Sequence, residues 1–280
     1  SSRFPYYMDT YGVHSIHGRA PTLATGIKAV NPDLTVWVVT GDGDGLSIGG
    51  NHLVHCMRRN VDVKILLFNN RVYGLTKGQY SPTSLQGHRT KSTPMGSIDY
   101  PFNPMSVAIG AEATFVARTQ DTNTKHLQET LRRAAAHRGT AFVEIYQNCV
   151  VYNPTAWDHT TDSSVRDDNI VYVEEGKPLV YGRDNDKGIR INGMIPEIVD
   201  VANGASDELA VHQESLDNSS YAYMLSRMQH PEFPLPFGVL RDVSRPAYTD
   251  MLVDQVKDAV DSGDADLNAL LHSSDTWVVE

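Results

Sequence analysis

Thr35-Val36-Trp37-Val38-Val39-Thr40-Gly41-Asp42-Gly43-Asp44-Gly45 is the stretch that decides the fold. Its first six residues form a continuous β-branched and aromatic run, the pattern of a strand buried on both faces. A glycine-rich turn follows at once. The spacing then predicts a helix over residues 48–59 and a second buried strand, Val63-Lys64-Ile65-Leu66-Leu67-Phe68, with Asn69 and Asn70 directly at its end. Strand, helix and strand in this order make a parallel crossover.

The same alternation extends to both sides. Upstream, a helix over residues 21–30 opens on Pro21, a good first-turn residue, and stops at Asn31-Pro32-Asp33. Downstream, an irregular stretch over residues 73–101 precedes a short helix at 104–110 and a strand at 113–117. A helix over 125–137, stopped by Arg138-Gly139, and a strand over 141–146 close the series. The expected fold class is α/β, a doubly wound, mostly parallel sheet, and ligands of such sheets sit outside the carboxyl ends of the strands. Beyond Cys149 the chain is rich in Asp, Asn and Pro and weakly periodic until Ser244-Arg245-Pro246, which reads as a cap before a helix to about residue 260. Residues 1–150 are therefore expected to form the ligand-binding domain. Residues 151–280 are expected to form an acidic C-terminal extension packed on that core or on a partner subunit.

Composition narrows the function. The chain has 280 residues, 40% of them apolar and 21% charged, enough for a sizeable core. Its apolar runs are far shorter than the roughly 20 residues of a membrane span, so no membrane association is expected. Two cysteines, Cys56 and Cys149, fit a reducing cytoplasm better than a disulfide scaffold. Residues 1–150 carry 15 Lys/Arg against 10 Asp/Glu, and residues 151–280 carry 9 against 24. A basic first half suits small anions such as phosphates or carboxylates. The overall acidity argues against nucleic acid, whose phosphates need clustered cations.

The chemistry is carried by Asp42 at one strand tip and Asn70 at the next, a spacing that fits one crossover. Asp offers a hard anionic oxygen, Asn a neutral amide oxygen, and the Val72 carbonyl is a third candidate ligand. Mg²⁺ favours such oxygens and completes its shell with substrate phosphates and water. Gly41, Gly43 and Gly45 let backbone N–H groups approach a diphosphate. The bland account is a tight turn in which Asp caps a helix. Asn69-Asn70 at the matching tip favours the metal–diphosphate account. An EF-hand fails, because Leu46 and Leu53 stand where ligands belong, and no Gly-Lys-Ser/Thr closes a P-loop. His52, His55 and Cys56 have zinc-like spacing on one helix but lack a further ligand pair. His14-Ser15-Ile16-His17-Gly18-Arg19 either contacts a phosphate or forms a capped turn.

The stretch from Thr40 to Leu53, with Phe68-Asn-Asn-Arg-Val-Tyr-Gly-Leu-Thr-Lys-Gly-Gln-Tyr-Ser-Pro-Thr83, closely resembles the β subunit of 2-oxoacid:ferredoxin oxidoreductases, most of all the 2-oxoglutarate (KorB) branch. Tyr146-Gln-Asn-Cys149, Gly176-Lys-Pro-Leu-Val and Pro236-Phe-Gly-Val-Leu240 extend the resemblance along the chain. It implies thiamine diphosphate bound through Mg²⁺ on Asp42, Asn70 and the Val72 carbonyl. Cofactor contacts are implied for Ser1, Ile16, His17, Gly18, Gly43, Asp44, Gly74 and Leu75. Substrate contacts are implied for Arg3, Leu75 and Lys77, since a 2-oxo dicarboxylate needs cations for its carboxylates.

The implied reaction is oxidative decarboxylation of a 2-oxoacid, 2-oxoglutarate above all, with coenzyme A. It yields succinyl-CoA, CO₂ and reduced ferredoxin, with electrons passing through a [4Fe–4S] cluster. The glutamate that activates the cofactor is expected from an α (KorA-like) subunit in an α₂β₂ assembly. Of the family's four cluster cysteines only Cys149 matches, and a cluster needs all four positions filled, so the others are expected N-terminal to Ser1. Two alternatives stay open: a non-oxidative thiamine diphosphate decarboxylase or carboligase, and a catalytically incomplete assembly subunit.

Overall fold

The computed structural model describes residues 3–201, 208–263 and 266–279. Four apolar runs form one side of its main sheet: β1 (Trp37–Gly41), β2 (Lys64–Asn69), β3 (Phe115–Gln120) and β4 (Ala141–Tyr146). All six residues of β3 and of β4 are buried, as interior parallel strands require. Strand β1 pairs with β2, β2 with β4, and β4 with β3, every pair parallel. Strand β3 begins two residues later than the apolar pattern suggests, because Thr114 is drawn into hydrogen bonds with Asn60 and His137.

The intervening helices are α1 (Ala20–Val30), α2 (Asp42–Leu46), α3 (Gly50–Arg58), α4 (Pro104–Gly110) and α5 (Thr124–Ala136). Period-two alternation along the strands sorts their side chains between two layers. Ile65, Leu67 and Phe142 meet Ala24 of α1, Met57 of α3 and Ile109 of α4 on one face. Leu66, Val143 and Ile145 meet Ala134, Leu127 and Leu131 of α5 on the other. Burying each such aliphatic side chain contributes roughly 1.5–3 kcal/mol. The doubly wound sheet is thus as expected. The glycine-rich turn differs: Asp42–Leu46 closes a helical turn, and a tight bend separates it from α3, which starts at Gly50 rather than at residue 48.

The second half is more ordered than its weak periodicity suggests. It forms α6 (Asp158–Thr161), α7 (Arg166–Asn169), β5 (Ile170–Val173), β6 (Val180–Tyr181), β7 (Lys187–Asn192), β8 (Ile195–Asp200), α8 (Ser220–Arg227), β9 (Leu235–Asp242), α9 (Tyr248–Asp261) and α10 (Leu267–Leu271). Strands β6, β7 and β8 make a small antiparallel sheet. Strand β9 pairs antiparallel with β3, and β5 then pairs parallel with β9. The main sheet therefore runs β1-β2-β4-β3-β9-β5 and crosses the division drawn at residue 150. Helix α9 starts at Tyr248 with Ala247 at its cap, so Ser244 does not cap it. Among the described residues no helix is long and apolar enough to cross a membrane.

Candidate functional site

Parallel pairing of β1 with β2 brings Gly41 opposite Phe68, so Asp42 and Asn70 leave neighbouring strands at one carboxyl edge. Asp42 is 2% exposed. Its Oδ2 accepts hydrogen bonds from Ser81 Oγ at 2.5 Å and Thr83 Oγ1 at 2.6 Å. Burial pushes its carboxyl above the usual carboxylate range, although these hydroxyls work against that. Thr83 Oγ1 also lies 3.0 Å from Asn69 Oδ1, so a single hydroxyl stands between the two tips and its one hydrogen can serve either oxygen. The sequence reading missed Ser81 and Thr83, although they lie in the stretch that carries the resemblance.

Asn69 and Asn70 divide the work. Asn69 is buried, and its Nδ2 donates to Glu144 Oε1 at 2.8 Å; Glu144 in turn pairs with Arg118 Nε at 2.8 Å. The more accessible Asn70 has its Oδ1 on the Val72 N–H at 3.2 Å. The turn's carbonyls are satisfied in order. That of Asn69 accepts from Trp157 Nε1 at 2.8 Å, that of Asn70 from Asn153 Nδ2 at 3.1 Å, and that of Arg71 from Ser84 Oγ at 2.7 Å. The Val72 carbonyl takes no protein donor among the described residues. A buried carboxylate without an ion-pair partner among those residues, beside an unclaimed carbonyl and an amide, is a set of hard oxygens that fits Mg²⁺.

Asp44 organises the loop before α1. Its Oδ1 accepts the Gly18 N–H at 2.7 Å and lies 2.6 Å from His17 Nδ1, while Oδ2 accepts from Thr40 Oγ1 at 2.6 Å. Its carboxylate is thereby engaged in presenting His17 and Gly18. Gly18 has φ +74°, and a methyl there would lie 2.6 Å from the Gly49 nitrogen. Gly43 also meets a steric demand that the sequence did not show. The Tyr73 ring covers it, with the hydroxyl donating to its carbonyl at 2.9 Å and a methyl at Gly43 falling 2.2 Å from the ring.

The remaining candidates are mostly exposed. Ile16, Leu75 and Lys77 are exposed, and Gly74 to Lys77 form part of a turn closed by Tyr73 and Gln79. Arg3 is exposed beside Phe4, whose ring packs 5.8 Å from that of Phe68, so this segment reaches the same edge. Ser1 lies outside the described residues. A methyl on Gly74 would lie 3.3 Å from Cys149 Sγ, which places that thiol at the site's flank. Cys56 is instead buried in the core with its thiol pushed up to about 11 by burial, so the two cysteines do not converge on one site. A four-iron cluster does not fit this donor set. Among the described residues no group of three His, Cys, Asp or Glu gathers for a metal, which disposes of His52, His55 and Cys56 as a zinc site. A cleft of about 620 Å³ lies at the opposite, amino edge near Lys28, Asp62 and Lys64.

A carboxylate and an amide thus stand on adjacent parallel strand tips at the edge of a doubly wound sheet where ligands of such sheets bind. Residues 1–145 match the family described as thiamine pyrophosphate enzyme, C-terminal TPP binding domain. The chain is 51% identical over its whole length to the 2-oxoglutarate oxidoreductase subunit KorB of Mycobacterium tuberculosis, spanning 76% of that protein. It is 38% identical over 65% of its length to the 2-oxoglutarate synthase subunit KorB of Archaeoglobus fulgidus, covering 69% of it. The solved 2-oxoglutarate:ferredoxin oxidoreductase from Magnetococcus marinus, with 2-oxoglutarate, coenzyme A and succinyl-CoA bound, matches 99% of this chain. There the identity is 30% and the TM-score 0.75, and 80% of that structure's chain is covered. The chain belongs to the KorB family of thiamine pyrophosphate-dependent oxidoreductase subunits.

Proposed function

We propose that this chain is the β subunit of a 2-oxoglutarate:ferredoxin oxidoreductase, forming succinyl-CoA and CO₂ from 2-oxoglutarate and coenzyme A. The names of the relatives and of the bound ligands in the solved homologue support the reaction. The single observation that carries it is the buried Asp42 beside the Asn70–Val72 turn, with one carbonyl left open.

Asp42, Asn70 and the Val72 carbonyl would hold Mg²⁺, and through it the diphosphate. Bound thiamine diphosphate supplies the carbanion that adds to a 2-oxo carbon and accepts the electron pair left by departing CO₂. The protein's part is to bind and orient. Asp44 fixes the Gly18 N–H and His17 at the edge of the site. Arg3 and Lys77 would supply exposed cations for the two carboxylates of the substrate, with Leu75 lining the pocket. An α subunit would cover this rim and bring the activating glutamate, in an α₂β₂ assembly that reduces ferredoxin in the cytoplasm. Cys149 would be this chain's thiolate toward a [4Fe–4S] cluster. Residues 1–150 act as the cofactor-binding unit, and residues 151–280 as the part that completes the sheet and meets the partner.

Calorimetry with thiamine diphosphate and Mg²⁺ should show binding that Asp42→Ala abolishes. Equal affinity in the variant overturns the assignment. Product analysis with and without coenzyme A and an electron acceptor distinguishes succinyl-CoA synthesis from non-oxidative decarboxylation.

A further inference from the structure

The turn that carries Asn70 and the Val72 carbonyl is held from outside by a segment that no regular element supplies. Residues 148–157 run past the carboxyl end of β4 and fold back onto this turn. Asn153 N–H donates to the Cys149 carbonyl at 2.9 Å, closing the fold-back, and Asn148 Oδ1 accepts the Trp157 N–H at 2.9 Å, closing it again at its far end. Two side chains reach across. Asn153 Nδ2 donates to the Asn70 carbonyl at 3.1 Å and lies 3.4 Å from that of Arg71. Trp157 Nε1 donates to the Asn69 carbonyl at 2.8 Å.

Packing stiffens this grip. The Trp157 ring is 1% exposed and stacks on Tyr146 at 3.4 Å between centroids, while the Arg71 guanidinium sits 3.7 Å from the Trp157 centroid. Arg71 has φ +56°, a conformation that costs a non-glycine residue free energy unless its surroundings impose it. The same segment meets the following turn through two glycines: Gly74 faces Cys149 Sγ and Gly78 faces the Tyr152 ring.

We infer that Asn153 and Trp157 are positioning residues that hold the Asn69–Arg71 carbonyls, so that Asn70 and the Val72 carbonyl are set for the cation before it arrives. These two side chains, with the Gln147 N–H on the Asn69 carbonyl at 3.1 Å and Ser84 Oγ on that of Arg71 at 2.7 Å, engage the carbonyls of residues 69 to 71 and leave the next one open, which is the arrangement a preformed cation ligand needs. Because the segment is anchored at Cys149, any group bound by that thiol shares a rigid fold-back with the Mg²⁺-binding turn. This inference rests on the proposed thiamine diphosphate site and adds the residues that preorganise it.

The test uses the assembled enzyme stripped of cofactor and titrated with Mg²⁺ at saturating thiamine diphosphate, binding being read by calorimetry. Asn153→Asp keeps the size of the side chain but removes the donor; Trp157→Phe keeps the ring stack but removes the N–H. Each is expected to raise the half-saturating Mg²⁺ about ten-fold, the usual worth of one lost hydrogen bond. Excess Mg²⁺ should restore kcat, because the fold that binds the cation is still present. Wild-type Mg²⁺ dependence in both variants overturns the inference, as does a loss of kcat that excess Mg²⁺ does not restore. If Asn153→Asp does not assemble, Trp157→Phe alone decides. Failure of the wild-type enzyme to bind thiamine diphosphate sinks the proposed function instead, so the two failures are distinguishable.

Discussion

At Gly18 the chain must take a left-handed conformation while its Cα passes close to the Gly49 backbone. Gly18→Ala should therefore lose roughly 1–3 kcal/mol of stability, since neither the backbone nor the neighbouring nitrogen can give way cheaply. Urea denaturation checks this, and an unchanged midpoint would show the loop to be looser than its geometry. The strand-tip pair was legible at this scale because Asp42 and Asn70 end apolar runs whose spacing fits one crossover. The residues that hold them were not. Ser81, Thr83, Asn153 and Trp157 act through side-chain hydrogen bonds from irregular segments, which leave no periodic trace. Gly43 was legible as a required glycine, but its reason, the Tyr73 ring, lies 30 residues away.

Among the elements, β3 and β4 carry a buried ion pair directly beneath the site. Arg118 and Glu144 are 2% and 1% exposed, and Glu144 also holds Asn69. Removing one partner leaves an uncompensated buried charge, so Arg118→Met should cost about 3–5 kcal/mol in chemical denaturation. Replacing both by a well-packed apolar pair should recover much of that stability and still leave Asn69 without its acceptor. Strands β1, β2 and β4 could be read from their β-branched and apolar residues. Helix α2 could not, because Asp-Gly-Asp-Gly-Leu has two poor helix formers in five residues and the helical turn is imposed by its setting. Strand β9 was hidden for a related reason. Pro236 and Gly238 break its pattern, yet it lies between β3 and β5, with Gly238 at φ +128° and an extra residue, Leu240, between Val239 and Arg241, which face Ala117 and Val116.

On the scale of the whole molecule, the amino edge of the sheet is a charged junction as the carboxyl edge is a binding one. Asp62 draws together Lys28 of α1, Lys64 of β2 and Arg138, which also pairs with Asp250 of α9. Burial works against its charge, but hydrogen bonds from Lys64, the Gly139 N–H and Lys28 outweigh it and hold the carboxyl at about 2. A carboxyl depressed in the folded state contributes stability above its unfolded value near 4, and loses it as pH falls through its folded value. Stability should thus fall between about pH 4 and 2, and Asp62→Asn should flatten that part of the urea-midpoint profile. A slope unchanged by the substitution would mean that other carboxylates govern acid unfolding. The three ammonium donors of Lys28 and of Lys64 are all engaged, so this cleft is a structural joint.

The antiparallel insertion of β9 also bears on how the chain comes off the ribosome. More than a hundred residues separate β3 from the strand that covers its edge. At roughly 5–20 residues per second of synthesis, that edge waits on the order of ten seconds with its backbone groups unpaired. Nascent chains are thus open to strand-to-strand clumping for that interval, and holding them apart until residue 242 emerges is a task for chaperones.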